Sequence, residues 1–131
     1  MKYLNFNQVL DIYKKILSST GGKPGLRDGE LLKSSLNQPL MTFQGEDLYP
    51  ALTDKSGILC YSIIMNHPFT DGNKRAGHAV MEVFLIMNGY EIIADIDEQE
   101  KTILKIASGE INIKSFTEWL ENHIKKRNLF T

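Results

Sequence analysis

Apolar residues at Val9, Leu10, Ile12, Tyr13, Ile16 and Leu17 fall on one broad face at helical spacing, with Asn7 ahead of them as a cap. The run Gly21-Gly22-Lys23-Pro24-Gly25 ends that helix. Asp28 caps a shorter one carrying Leu31, Leu32 and Leu36, which stops before Pro39. Leu40 to Tyr49 mixes polar and apolar positions without a decisive period. A longer helix is expected from about Asp47, with Pro50 in its first turn. Its second half, Ile58 to Met65, is apolar nearly all round. Periodicity alone would also allow a buried strand there, but no other segment offers it several strand partners. It is therefore the central, most enclosed helix.

Beyond a loop at His67 to Gly72, the positions Ala76, Ala79, Val80, Val83, Phe84 and Met87 again keep helical spacing, and Asn88-Gly89 supplies a left-handed stop. Tyr90 to Ile96 has the pattern of a short extended piece, followed by a helix to about Ser108 with Gly109 as its stop. Ser115 and Glu118 have capping-box spacing for a last helix carrying Phe116, Trp119, Leu120 and Ile124. Lys125-Lys126-Arg127 would suit the negative pole at its end. With no repeat, linker or low-complexity tract, the pattern predicts one all-α domain over residues 1–131, a compact bundle of about six helices.

Composition narrows the functional classes. A chain of 131 residues, 42% hydrophobic and 24% charged, has the make-up of an ordinary globular domain with its own core. A net charge of -1 gives no bulk reason to bind nucleic acid or an anionic membrane, so any anion site must be local. No apolar run approaches membrane-spanning length, and Met1 to Asn7 lacks the apolar stretch of a signal peptide. The single Cys60 excludes an intrachain disulfide and a multi-cysteine metal site. A cytoplasmic protein is expected.

The chemistry gathers between the two strongest helices, at His67, Asp71, Gly72, Asn73, Lys74 and Arg75. Gly72 lets backbone approach an anion, and the helix starting near Asn73 offers unpaired N–H groups at a positive dipole end. Lys74 and Arg75 add full charges, Arg75 in a form suited to bidentate phosphate contact. Asp71, the only acid in the loop, can hold Mg²⁺ beside phosphates. His67 brings an imidazole, the residue type best suited to accept a hydroxyl proton. Together these residue types suit phosphoryl chemistry. A Walker-type loop, a protein-kinase signature and a His-Glu-x-x-His pair are all absent, and Cys60 sits too deep in an apolar run to be a nucleophile.

His67-Pro68-Phe69-Thr70-Asp71-Gly72-Asn73-Lys74-Arg75 resembles the signature of the Fic/Doc family, and its Doc (death-on-curing toxin) branch in particular. Gly21-Gly22-Lys23-Pro24-Gly25 and Ser108-Gly109-Glu110-Ile111 also resemble Doc. The resemblance implies a compact helical bundle with an ATP-type ligand at the start of the helix after the loop. It makes His67 the base that activates a target hydroxyl and Asp71 the Mg²⁺ holder. Gly72, Asn73 and Arg75 match phosphate-binding positions, and Phe69 matches an aromatic that anchors the loop. AMP-transferring Fic proteins usually carry glycine where this chain has Lys74, and a second arginine where it has His78. The resemblance therefore favours transfer of the terminal phosphate of ATP to a protein hydroxyl over AMP transfer. In the Doc branch the target is translation elongation factor Tu, translation stops, and a small antitoxin partner silences the enzyme. A rival of another class is a non-catalytic helical binding protein that keeps the loop for structure.

Other positions read more plainly. Trp119, Phe84 and Met87 are packing residues, His78 has a surface or supporting role, and His123 is exposed among charges. Thr117 to Asn122 matches the loose pattern of an inhibitory helix in some Fic proteins, but the pattern is short and degenerate, and it reads as an ordinary amphipathic helix.

Overall fold

The computed structural model describes residues 1–128. Six helices carry the fold: α1 (Phe6–Thr20), α2 (Gly29–Asn37), α3 (Leu52–Asn66), α4 (Asn73–Met87), α5 (Ile96–Ala107) and α6 (Ile113–Asn122). Two short antiparallel ribbons join them, β1 (Thr42–Phe43) with β2 (Glu46–Asp47), and β3 (Tyr90–Ile92) with β4 (Ile124–Lys126). The all-α expectation holds.

Several boundaries differ from the expected ones, each for a local reason. Asn5, not Asn7, caps α1: its side chain accepts from Gln8 N at 2.9 Å while Gln8 Oε1 accepts from Asn5 N at 2.8 Å. The reciprocal pair satisfies two otherwise orphaned donors, which Asn7 inside the first turn cannot do. The unassigned stretch after Leu40 is the β1–β2 hairpin, turned by Gln44 and Gly45, both at positive φ. Because that hairpin occupies residues 42–47, α3 starts only at Leu52 and Pro50 precedes it instead of sitting in its first turn. The buried Lys55 ammonium fastens the hairpin to α3 by donating to Pro39 O (2.9 Å) and Asp47 Oδ2 (3.4 Å). At the other end Asn112, not Ser115, caps α6, accepting from Ser115 N at 2.8 Å. Ile124 and Lys125-Lys126-Arg127 leave the helix altogether. The chain turns at His123, and β4 fills the open edge of β3, where Glu91 faces Lys125 and Arg127.

Two apolar clusters flank a shared pair of helices. Leu59 and Ile63 of α3, with Ala76, Val80 and Phe84 of α4, join Val9, Tyr13 and Leu17 of α1 and Leu32 of α2. Cys60 and Ile64, with Met81 and Leu85, face Ile103, Ile106, Phe116 and Leu120 of α5 and α6. Adjacent positions thus serve opposite sides, which is why α3 reads apolar all round. The α3–α4 seam is close enough to need a bare backbone: a Cβ on Gly77 would stand 3.0 Å from both Cys60 O and Ile64 Cγ1. Gly77→Val should therefore force the two helices apart and cost about 1–3 kcal/mol, read as a fall in the denaturant midpoint.

Candidate active site

The loop between α3 and α4 starts with a non-glycine residue in left-handed backbone, His67 at φ 48°, ψ 55°. Histidine tolerates this region better than a β-branched residue would. The twist ends α3 and sends the chain into the buried pair Pro68-Phe69. Phe69 is 1% exposed and stacks on Tyr13, ring centroids 3.8 Å apart, so the middle of the loop is anchored in the core as expected. The loop between α1 and α2 then runs antiparallel to it. Arg27 N and Asp28 N both donate to Pro68 O (2.8 and 3.0 Å), Leu26 bridges Phe69, and Thr70 N donates to Gly25 O at 2.8 Å.

Asn73, the first residue of α4, closes the loop on itself. Its Oδ1 accepts from Phe69 N (2.9 Å) and its Nδ2 donates to Phe69 O (3.0 Å), with His67 Nδ1 a further 3.4 Å contact. The side chain is thus committed to bracing, and any phosphate contact from Asn73 would come through its backbone N–H. Gly72 is the residue before α4, at φ 81° with no side-chain cap. The helix's first N–H groups are left uncapped, as an anion site requires. A Cβ on Gly72 would come within 2.8 Å of Leu17 Cδ2 and 3.3 Å of Arg75 Nη2. Gly72→Ala should therefore strain both backbone and contacts, read as a fall in the denaturant midpoint.

Asp71 lies at the seam of the two loops. Its Oδ2 accepts from Lys23 N at 3.1 Å, and its Oδ1 is 3.7 Å from Arg75 Nη2. The Lys23 N–H above all, helped by the Gly72 N–H and the Arg75 and Lys74 charges, holds this carboxyl below its ordinary value. It stays ionised. Its carbonyl accepts from Tyr13 Oη at 2.7 Å, and the same hydroxyl accepts from Gly25 N at 3.2 Å. Arg75 Nη1 reaches back to Thr20 Oγ1 (2.5 Å) and Gly21 O (2.6 Å), tying the end of α1 to the start of α4. The Lys74 ammonium is exposed and pairs with no carboxylate among the described residues.

His67, Asp71, Gly72, Asn73, Lys74 and Arg75, with Thr70, line one cleft of about 350 Å³. The imidazole and the carboxylate share that cavity. Sequence reasoning treated Tyr13 only as core; its hydroxyl on the buried face was the available signal, since such a group needs a partner. Arg27, whose side chain also reaches this loop, carried no signal in spacing. His78 is half-buried one turn along α4, where its Nε2 lies 2.8 Å from Gln99 Oε1, consistent with a supporting role. His123 is not simply exposed. Its ring stacks on Trp119 at 4.4 Å, Nδ1 is 2.7 Å from Trp119 O and Nε2 is 3.2 Å from Glu98. The β4 turn pulls it inward. Cys60 is fully enclosed, and burial pushes its thiol up so that it stays protonated. Thr117 to Asn122 lie in α6, with Thr117 and Leu120 buried and Glu118 exposed.

The family model described as Fic/DOC family matches residues 3–85, from the residues before α1 into the last turn of α4. The chain is also 36% identical over 97 residues to Toxin Doc of Mycolicibacterium smegmatis (strain ATCC 700084 / mc(2)155), covering 72% of this chain and 75% of that protein. With the signature loop lining a single cleft and this match extending through α1 to α4, the chain belongs to the Fic/DOC family.

Proposed function

We propose that the chain is a Doc-type toxin that transfers the terminal phosphate of ATP to a hydroxyl of a target protein. The observation that carries the reading is the shared cleft, where a proton acceptor, an ionised carboxylate, two cations and an uncapped helix start face one cavity. Phosphoryl transfer needs little else beyond positioning and neutralisation of charge. The α4 amides, Lys74 and Arg75 bind the polyphosphate. His67 takes the proton of the target hydroxyl as its oxygen bonds to the γ-phosphorus, and the bond to the bridging oxygen breaks to release ADP. Phe69 and Asn73 hold the loop so that His67 keeps its place.

The residues suit Mg²⁺. Asp71 offers an ionised carboxylate at the cleft wall, and no cluster of three acidic, histidine or cysteine ligands exists among the described residues. A single carboxylate plus phosphate oxygens and water is a usual Mg²⁺ environment, and the ion would neutralise phosphate charge there. Asp71→Asn keeps an acceptor for Lys23 N and should abolish the Mg²⁺ dependence of nucleotide binding in calorimetry. Its effect on stability has a definite sign. The contribution of the carboxylate is complete above the ordinary value of 3.8 and is lost as pH falls through the lower folded value. The difference in melting temperature between wild type and Asp71→Asn should shrink on that acid side.

Growth arrest by this chain and its relief by an antitoxin protein are part of the proposal, and the match to a protein named Toxin Doc supports the toxin reading. Elongation factor Tu is the proposed target, which puts the reaction in the cytoplasm. No helix among the described residues is long and apolar enough to cross a membrane. The test incubates the protein with ATP, Mg²⁺ and elongation factor Tu and reads the intact mass of the target. A phosphoryl increment supports the proposal; a nucleotidyl increment means AMP transfer, and no increment removes this target.

A further inference from the structure

We infer that Arg27 is a positioning residue for His67. The inference rests on the proposed role of His67 as base, and its geometry lies outside the cleft-lining residues. An α-helix leaves its last carbonyls without intrahelical donors, and a glycine after the helix usually turns the chain so that backbone N–H groups reach them. Here the left-handed position at the end of α3 is filled by His67 itself. The donors come from elsewhere. Arg27 Nε donates to His67 O at 2.7 Å, and Arg27 Nη2 donates to Asn66 O at 3.0 Å.

One planar guanidinium thus spans two successive carbonyls across the turn that aims the imidazole. Its fixed spacing sets the peptide plane of His67 relative to the end of α3, as a point-like ammonium cannot. The backbone of the same residue donates to Pro68 O, so Arg27 holds the loop on both sides of the His67–Pro68 bond. Among the described residues the side chain of His67 has one weak restraint of its own, the 3.4 Å contact with Asn73 Nδ2. Left-handed backbone is costly for a non-glycine residue and persists only where the surroundings over-determine it. Arg27 supplies that determination on the carbonyl side. Its side chain is exposed and fills no part of the core, so its effect falls on orientation more than on packing.

The experiment compares wild type with Arg27→Ala, Arg27→Gln and Arg27→Lys in single-turnover transfer, nucleotide titration, thermal unfolding and proton–carbon correlation of the histidine rings. The three histidines give three ring signals, and His67→Asn identifies one of them. Arg27→Ala should lower kcat by about tenfold to a hundredfold, the penalty of a misplaced reacting group, with KM for ATP unchanged. The His67 ring signal should move while those of His78 and His123 stay. Arg27→Lys, able to reach one carbonyl, should recover part of the rate, and Arg27→Gln less.

A fall in nucleotide affinity and melting temperature together with kcat would mark a merely structural role and overturn the inference. So would an unmoved His67 signal in Arg27→Ala. If the wild type transfers nothing to any target while the His67 signal alone shifts, the proposed function fails and the positioning role stands.

Discussion

Replacing His67 with asparagine is expected to slow phosphoryl transfer by roughly 10²–10⁴-fold while leaving the fold as stable as before. Asparagine suits the left-handed backbone at this position better than alanine does, so the substitution leaves the turn intact. The imidazole is exposed and contributes no core packing, and the carbonyl that Arg27 grips is retained. What is lost is a group able to accept a proton near neutral pH. Single-turnover labelling of the target, beside a thermal melt, separates the two quantities. A variant that transfers at the wild-type rate would mean that the hydroxyl proton leaves by another route.

Phe69→Ala is expected to do the reverse and remove stability and activity together. The ring is among the largest fully buried side chains, and truncating a buried phenylalanine costs about 3–5 kcal/mol. The stack with Tyr13 is lost as well, and Tyr13 holds the Asp71 carbonyl and Gly25 N. Both sides of the cleft should loosen. The denaturant midpoint should drop without a change in its slope, and nucleotide affinity should fall at temperatures where the variant is still folded. Phe69→Leu keeps most of the buried volume and should retain most of both. If Phe69→Ala kept wild-type nucleotide affinity, the loop would be held by its hydrogen bonds alone.

The helices α1 and α2 were legible because one face of each meets the core, and α4, which serves both clusters, was legible through the helical spacing of Ala76, Val80 and Phe84. The all-round apolar run of α3 was legible as well, through the lack of strand partners. The hairpin at residues 42–47 was not. Asn-Gly announces a type I′ turn, whereas Gln44 adopts positive φ without such a preference, and its exposed strands show no alternation. The switch from α6 into β4 was hidden for another reason. Ile124 continues the apolar period of the helix, and only the distant edge of β3 draws it into a strand. The residues lining the cleft could be named from the signature because they are contiguous. The groups that hold them, Tyr13, Gly25 and Arg27, come from the first 27 residues, and pairings at that separation leave no period to read.

That separation governs when the enzyme can first become active during its own synthesis. The Gly21–Asp28 segment leaves the ribosome before the second loop, carrying one partner of each hydrogen bond that joins the two loops but none of the reacting groups. The other partners arrive with residues 67–75, and their helix needs the rest of α4 to dock. A growing chain is therefore dormant until both loops are out of the tunnel. For a protein proposed to stop translation, no cleft exists on the ribosome that makes it until residues 67–87 have also emerged.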